Sequence, residues 1–349
     1  MEKLFSEFKL SNKILKNRVV MPPVVCFEWS NNKGFVSDKH IKHYEEKAAG
    51  GVGMIIVEAT CVAEDGRIVD SQLGIWSDDH IEGLRKIMEA CKKYDVVVIL
   101  QIHHSGMSTA ATIKEKVGGP SADLENGRTY TLSLDEIHEL EQKFIMAARR
   151  AAEAGFDGVE LHGAHGFLLN QFATRVLNKR EDEYGGTLEK RLKIGINIIS
   201  GIREILPKSF ILGYRLGSNS PTLDDGIEIA KYLENKGLDY IHASHGGRIG
   251  IIPDVPKDFN YNGIAYSGTM IKRNIKIPVI VVNEIRTPER AVFLVENNLA
   301  DIVAIGKDLL TDPQWVKKAM NNEKINYCIK CEPACKRYQN PGLCPVKPD

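Results

Sequence analysis

Short apolar runs alternate with longer amphipathic stretches along almost the whole chain. The runs have the length of β-strands, and the stretches between them have the apolar spacing of helices. Because parallel strands need crossover connections, helices that follow strands indicate parallel pairing. Eight runs are predicted to be strands: 18–25, 52–60, 96–102, 158–162, 211–216, 240–244, 278–283 and 302–306.

Two of the intervening helices show where they begin. A helix predicted over 133–154 starts with Ser133 and Glu136 in the spacing of a capping box. Another starts at TPERA, residues 287–291, where Thr287 precedes a proline whose missing N–H has no cost in the first turn. Eight strand–helix repeats without a glycine-rich fingerprint after the first strand predict a (β/α)8 TIM barrel of the α/β class, and not an open doubly wound sheet.

The same pattern sets the expected domain organisation. We predict one barrel domain over residues 1–320 and a short cysteine-containing C-terminal tail over residues 321–349. Two connections, 103–132 and 167–187, are long and follow the third and fourth predicted strands. Long loops at the C-terminal ends of barrel strands usually shape the substrate site.

Composition narrows the class of protein. Lys plus Arg and Asp plus Glu both total 46, so the formal net charge is zero. No overall field therefore favours nucleic acid or an anionic membrane as a partner. The N-terminus, MEKLFSEFKL, lacks the apolar stretch of a signal peptide, and no later apolar run is long enough to span a bilayer. We expect a soluble, cytoplasmic protein with no nucleic-acid or membrane partner.

The seven cysteines are unevenly distributed, and four of them lie in the last twenty-two residues: Cys328, Cys331, Cys335 and Cys344. In a chain without an export signal, such a cluster favours a metal over disulfides. Four thiolates at this spacing suit an iron–sulfur cluster or a structural zinc ion. Unligated thiols are the remaining alternative.

Polar side chains collect where the predicted strands end, and the C-terminal ends of barrel strands converge on one mouth. Six of the ten histidines lie there with four other polar residues: His103, His104, His162, His165, His242, His245, Gln101, Glu58, Arg215 and Asn283. A zinc site at the mouth is disfavoured, because the carboxylates nearby are limited to Glu58 and Glu160.

The last strands end in glycine-containing turns, SHGGR at 244–248 and IGKDLL at 305–310. Backbone amides beside a helix N-terminus bind phosphate in many barrels. Arg215, Arg248 and Lys307 have the charge to neutralise a dianion there. The pattern predicts a phosphate site, and glycines that merely serve turns are the alternative.

An ordered set of motifs resembles the old yellow enzyme family of FMN-dependent ene-reductases. The resemblance is strongest to the bacterial branch that includes the N-terminal barrel of 2,4-dienoyl-CoA reductase. The motifs are LKNRVVMPPV (15–24), IIVEAT (55–60), LQIHHSG (100–106), GPSA (119–122), ELHGAHGFLLNQF (160–172), NKREDEYGG (178–186), the Gly306-Lys307 pair, and CIKC with Cys335 and Cys344.

The resemblance implies FMN at the barrel mouth and NAD(P)H as the reductant. His162 and His165 would hydrogen-bond the carbonyl of an α,β-unsaturated substrate (enone, enoate or enoyl thioester) while its β-carbon receives hydride from flavin N5. Their N–H groups would stabilise the enolate as an oxyanion hole does. The implied cofactor contacts are Pro22, Pro23, Val24, Val25, Ala59, Gln101, Arg215, Asn283, Gly306 and Lys307, and the implied substrate contacts are Phe27, Phe167 and Tyr130.

Two positions near the implied substrate depart from the family pattern. Many members have tyrosine, the implied proton donor to the α-carbon, where this chain has Phe167. Members often have Cys or Thr at the position that aligns with Val25, although Cys26 is adjacent. Solvent or a residue of the 103–132 loop, such as Tyr130, is then the alternative proton source.

The tail also resembles the family. The resemblance favours a [4Fe–4S] cluster on the four tail cysteines, which in multidomain relatives relays electrons from a C-terminal FAD and NAD(P)H module. This sequence stops five residues after Cys344. It is therefore a single-domain form, reduced by NAD(P)H or by a redox partner protein, or a fragment of something longer. The sequence also leaves open whether the chain forms a homo-oligomer.

Other functions stay open at this stage. One is an electron-transfer FMN/iron–sulfur subunit. Another is an amine dehydrogenase of the same family, whose cationic substrate needs an aromatic cage for which Trp29 and Phe27 are candidates. A third is a phosphate-binding aldolase or isomerase, but the lysine at a strand end, Lys307, lies in the predicted phosphate loop.

Overall fold

Eight parallel strands close into a barrel in the computed structural model, which describes residues 1–123, 127–332, 335 and 343–346. The order around the barrel is β3-β4-β5-β8-β9-β10-β11-β12, and β12 pairs with β3. The strands of the described chain are β1 Phe8–Leu10, β2 Lys13–Leu15, β3 Val19–Met21, β4 Met54–Cys61, β5 Val97–His103, β6 Val117–Gly119, β7 Thr129–Thr131, β8 Gly158–Gly163, β9 Ile211–Gly217, β10 Tyr240–Ser244, β11 Val279–Val282 and β12 Ile302–Ala304. The predicted (β/α)8 barrel is confirmed.

Helices cover the outside of the barrel and connect its strands. They are α1 Glu2–Phe5, α2 Asp38–Ala49, α3 Ile81–Lys92, α4 Leu134–Glu153, α5 Leu168–Ala173, α6 Leu188–Ile205, α7 Leu223–Glu234, α8 Gly263–Asn274, α9 Pro288–Glu296, α10 Lys307–Thr311 and α11 Trp315–Met320. Both helix starts seen in the sequence are confirmed. Ser133 and Glu136 form the reciprocal capping box of α4, and the Thr287 side chain caps α9 with Pro288 at its first position.

The barrel strands are buried on both faces, which is why they read as continuous apolar runs. Every residue of β4, β5, β8 and β9 is buried. An inner layer of side chains from the N-terminal ends of the strands packs together with Leu10 and Leu15 of the β1–β2 hairpin. The hairpin therefore closes that end of the barrel, and the polar strand ends lie at the other.

The two long connections each contain ordered structure of their own. Residues 103–132 include the parallel pair β6–β7, and 167–187 include α5. The helix α11 ends at Met320, and no helix or strand is assigned from there to residue 332. No helix in the described part of the chain is long and apolar enough to cross a membrane.

Candidate active site

A buried carboxylate, Glu160, organises the interior of the barrel mouth. It lies on β8 and accepts hydrogen bonds from Gln101 Nε2 at 2.7 Å, Tyr240 Oη at 3.1 Å and His242 Nδ1 at 3.0 Å. Tyr240 reaches it across Gly213, where a Cβ would lie 2.1 Å from the tyrosine ring. One carboxylate thus links three strands of the barrel mouth, β5, β8 and β10.

Arg215 supplies the positive charge beside Glu160. It lies on β9, directly opposite His162 on one side and His242 on the other in the strand register. Burial lowers the pKa of Arg215 to about 10, and the nearby Glu160 charge opposes that shift. The guanidinium stays charged at neutral pH, so it compensates the buried carboxylate.

Three histidines form a continuous hydrogen-bonded row beside this pair. His103 Nδ1 lies 2.9 Å from His162 Nδ1, and His162 Nε2 lies 2.9 Å from His165 Nδ1. Serine hydroxyls end the row, with Ser105 Oγ 3.0 Å from His103 Nε2 and Ser244 Oγ 2.8 Å from His165 Nε2. We call these five residues the histidine row.

The histidines of the row are neutral at physiological pH. Burial lowers the pKa of His103, His162 and His165 well below the ordinary value of 6.5. Neighbouring positive charge lowers the pKa of His165 further, with Arg215 the largest such contributor. Each ring therefore carries one N–H and one bare nitrogen.

Phe167 packs against all three rings of the row. Its ring centroid lies 4.5 Å from that of His103, 4.9 Å from that of His162 and 6.3 Å from that of His165. The backbone of His165 is left-handed, with φ at 62°, and its N–H donates to the His245 carbonyl at 2.9 Å. This turn therefore brings the side chains of His162, His165 and Phe167 into contact.

Glu58 anchors the backbone of residues 22–27, the segment expected to lie along a flavin. The fully buried Glu58 carboxylate accepts from the Cys26 N–H at 2.9 Å and from Tyr44 Oη at 3.2 Å. Burial raises the pKa of Glu58 to about 7. Pro22 and Pro23 are buried, and the side chains of Val24, Val25 and Phe27 are partly exposed.

Ala59 and Gly306 are two further residues expected to contact the cofactor. Ala59 is buried, and its carbonyl accepts from Gln72 Nε2 at 2.7 Å. Gly306 lies beside Pro22, because a Cβ at Gly306 would be 3.6 Å from Pro22 Cγ. The structure therefore brings the segment that follows β3 next to the end of β12.

A cavity of about 190 Å³ opens where β11 and β12 end. Asn283, Arg286, Gly306, Lys307 and Cys328 are among the residues that line it. Three cations line the cavity, and two of them, Arg286 and Lys330, pair with the Asp308 and Glu284 carboxylates. Lys307 and the first turn of α10 are then the groups best suited to a phosphate group. Neither Arg215 nor Arg248 lines it; Arg215 lies beside Glu160, and Arg248 is exposed in a turn after β10.

Arg286 is the residue at this cavity that the sequence patterns did not single out. Its guanidinium binds both oxygens of the buried Asp308 carboxylate, at 3.0 and 2.9 Å, and donates to the Cys328 carbonyl. The Cys328 N–H in turn donates to Asp308 at 2.8 Å. The only sequence signal was its position after the seventh strand, in NEIRTPE.

Two of the residues expected near the substrate lie elsewhere. The Tyr130 hydroxyl donates to Glu136 at 2.8 Å and lines a separate cavity of about 130 Å³ with His104 and Lys114. Trp29, expected as part of an aromatic cage, is only 6% exposed and packs edge-on against His40 at 5.5 Å. The structure does not bring either side chain to the histidine row.

The four tail cysteines do not come together as a ligand set. Cys328, Cys331, Cys335 and Cys344 are all partly exposed and free of disulfides. Among the described residues, no three His, Cys, Asp or Glu side chains are grouped so that they could hold a metal ion. The iron–sulfur cluster, the alternative zinc ion and a metal at the barrel mouth are therefore not shown by the structure.

Comparison with known proteins decides the family. Residues 3–326 match the NADH:flavin oxidoreductase / NADH oxidase family. The chain belongs to this family. Its resemblance to the old yellow enzymes is confirmed, and it is an NAD(P)H-dependent flavin oxidoreductase of that type.

Characterised relatives support this assignment. The chain is 37% identical to an NADPH dehydrogenase of Clostridium acetobutylicum over 93% of its own length and 96% of that protein. It is also 37% identical to an NADH oxidase of Thermoanaerobacter brockii, over 99% of its length but only 56% of that protein. The chain thus spans about half of this second relative.

Solved structures show the same fold. A 2-naphthoyl-CoA reductase in complex with 2-naphthoyl-CoA has a TM-score of 0.86 at 27% identity, and the match covers 95% of this chain and 54% of that one. A morphinone reductase variant in complex with tetrahydroNAD has a TM-score of 0.80 at 25% identity, covering 94% and 93%. The old yellow enzyme homologue from Zymomonas mobilis shares the fold at 24% identity.

The residues at the mouth fit the FMN that this family uses. Three buried polar atoms there have no partner among the described residues: Gln101 Oε1, Arg215 Nε and His242 Nε2. A flavin ring carries both N–H and carbonyl groups, so it can satisfy buried acceptors and donors of this kind. Orphaned buried polar atoms are costly, so these three favour a polar ligand at the mouth.

Proposed function

We propose that this flavin oxidoreductase transfers hydride from NAD(P)H to the β-carbon of an α,β-unsaturated carbonyl compound. One observation carries the proposal. His162 Nε2 and His165 Nδ1 lie 2.9 Å apart at the barrel mouth, on two rings that burial keeps neutral. Both nitrogens can donate to one oxygen atom that gains negative charge, once that oxygen replaces the hydrogen bond between them.

FMN would lie across the mouth between this pair and the phosphate cavity. Gln101, Arg215 and Ala59 are its proposed ring contacts, with Pro22 to Val25 along one face. Lys307, Gly306 and Asn283 are its proposed phosphate contacts, and Arg286 joins them on the evidence of the cavity. When bound, FMN supplies the hydride.

The histidines then act on the substrate carbonyl. Their N–H groups orient the carbonyl and stabilise the enolate oxygen as the β-carbon is reduced. Because the rings are neutral, they donate hydrogen bonds without presenting a charged acid that would protonate the oxygen. Partly exposed Phe27 and Phe167 are the apolar side chains proposed to contact the rest of the substrate.

The test is an anaerobic assay of a panel of enones, enoates and enoyl thioesters with NADH and with NADPH. We expect yellow protein that either nicotinamide bleaches and that an enone reoxidises. His162→Phe should abolish enone reoxidation while nicotinamide still bleaches the flavin. Flavin that is reduced but passes hydride to no member of the panel would contradict the proposal and favour an electron carrier.

We also propose that the four tail cysteines, which are not grouped in the structure, come together on a [4Fe–4S] cluster when the protein is isolated without oxygen. The support is the CIKC spacing with Cys335 and Cys344 and its resemblance to the bacterial branch. Iron and acid-labile sulfide analysis of anaerobically purified protein should give about four of each per chain. Zinc without sulfide, or neither, would refute the cluster.

A further inference from the structure

The number of hydrogens on each ring limits which members of the histidine row can donate and which can accept hydrogen bonds. Each neutral imidazole has one N–H, so a nitrogen that donates leaves the other nitrogen of that ring as an acceptor. Two N–H groups cannot face each other, and two bare nitrogens gain nothing from being 2.9 Å apart. The tautomer of each ring in the row therefore depends on the tautomer of its neighbour.

A carbonyl bound by both His162 and His165 determines which nitrogen of each ring in the row carries the hydrogen. His162 Nε2 and His165 Nδ1 must both carry hydrogen to donate to one oxygen. His162 Nδ1 and His165 Nε2 are then bare and must be acceptors. Their partners at 2.9 and 2.8 Å are His103 Nδ1 and Ser244 Oγ, which must both donate.

The outer members of the row can meet that demand. If His103 Nδ1 carries the hydrogen, His103 Nε2 is bare and accepts from the Ser105 hydroxyl at 3.0 Å. A serine hydroxyl rotates to donate or accept, so both ends of the row adapt without moving a ring. His103, Ser105 and Ser244 are all buried, which keeps water from replacing these partners.

We propose that His103 and Ser244 are positioning residues that set the tautomers of the two carbonyl-binding histidines. His103 holds His162 with its hydrogen on Nε2, and Ser244 holds His165 with its hydrogen on Nδ1. This inference rests on the proposed function, because it assigns the tautomers that carbonyl binding requires. Neither residue touches the substrate oxygen in this arrangement.

The unliganded row has a related arrangement. The distances fit a row in which His103 Nδ1–H donates to His162, His162 Nε2–H donates to His165, and His165 Nε2–H donates to Ser244, and they fit the reverse direction equally. In the first direction, binding of an oxygen acceptor then moves the hydrogen of His165 from Nε2 to Nδ1 and turns the Ser244 hydroxyl. It also separates the two rings, because two N–H groups cannot stay 2.9 Å apart and the oxygen replaces the hydrogen bond between them.

The test uses 4-nitrophenolate, a coloured oxyanion that imitates the enolate oxygen, with the FMN-loaded protein. His103→Phe keeps an aromatic ring against Phe167 and removes the hydrogen-bond donor. His103→Asn places an amide nitrogen where Nδ1 was and restores the donor. His138→Phe, the same exchange at an exposed position on α4, is the control.

We expect His103→Phe to weaken 4-nitrophenolate binding by about 10- to 100-fold, the usual effect of removing the outer partner of an imidazole in a metal site. His103→Asn should recover most of the affinity, and FMN content should not change in either variant. Nitrogen NMR of 15N-histidine-labelled wild-type protein with 4-nitrophenolate bound should show His162 as the Nε2–H tautomer. Because this spectrum is recorded on the wild-type protein, the test does not depend on whether a variant folds.

The outcomes separate the two proposals. Equal affinity in His103→Phe, with affinity lost in His162→Phe, would overturn the positioning role alone. The Nδ1–H tautomer of His162 in the bound wild type would overturn it as well. Affinity that survives His162→Phe would overturn carbonyl binding by this pair, and with it the proposed function.

Discussion

The ring of Phe167 packs edge-on against the ring of His103, with an interplanar angle of 87° and a centroid separation of 4.5 Å. In many old yellow enzymes the position of Phe167 is a tyrosine that gives a proton to the α-carbon. Here the ring has no proton to give, and it touches three rings that each carry one. Because Tyr130 is bonded to Glu136 elsewhere, solvent is the remaining proton source for the reaction proposed above.

Phe167→Tyr should increase the rate of enone reduction if proton delivery limits it. The added hydroxyl extends from a ring already in contact with the histidine row, and general acid catalysis typically contributes at least 10²-fold. The measurement is the enone reduction rate in light and heavy water, with His138→Phe as the control. An unchanged rate and an unchanged solvent isotope effect would show that Phe167 does not limit the reaction.

Glu160→Gln should destabilise the fold by about 3 kcal/mol, because it leaves Arg215 buried without a compensating charge. The amide also cannot accept from all three present donors. Urea unfolding of the FMN-free protein measures the effect. Glu153→Gln, an exposed site at the end of α4, should change stability by less than about 0.5 kcal/mol. Equal effects at both sites would contradict the central role of Glu160.

Stability should fall as the pH drops below about 6.5. Burial lowers the pKa of His40 and of His104 to about 4. Between about pH 6.5 and pH 4 the unfolded chain binds protons at these histidines and the folded chain does not, so each costs about 1.4 kcal/mol per pH unit. Replacing His40 with Gln should remove about one proton from the slope of unfolding free energy against pH, whereas exposed His138→Gln is the control.

Glu58 should act in the opposite direction. Its folded pKa of about 7 lies above its ordinary value of 4.5, so the folded chain binds a proton there between these pH values and gains stability as the pH falls. Glu58→Gln should therefore make the acid loss steeper, while His40→Gln makes it shallower. The two side chains lie 3.7 Å apart. Slopes that change in the same direction would contradict the assignment.

Arg286→Gln should weaken FMN binding by about 10-fold or more, since it removes a cation from the proposed phosphate cavity and frees Asp308. Flavin fluorescence titration measures the affinity. Arg203→Gln is the matched control, because Arg203 pairs with Asp239 at 2.6 Å outside this cavity. It should lower stability without changing FMN affinity. Equal FMN losses in both variants would mean that the effect is general unfolding.

The barrel could be predicted from the sequence because its strands are buried on both faces and its helices on one. Continuous apolar runs and 3.6-residue spacing are local properties, and all eight predicted strands are in the barrel. The helix starts at Ser133 and Thr287 were equally local, since a cap and its partner are three residues apart. The expected cofactor and substrate contacts came from the short motifs that resemble the FMN-dependent family.

Contacts between distant residues were decided by the tertiary structure alone. His103 and His162 are 59 positions apart, and only closure of the barrel makes their nitrogens neighbours. The same closure brought Arg286 to Asp308, which lies 22 positions further along the chain. The sequence by itself determined that histidines would end these strands. Their tautomers, their neutrality and their shared row depend on burial and on distances that no local pattern encodes.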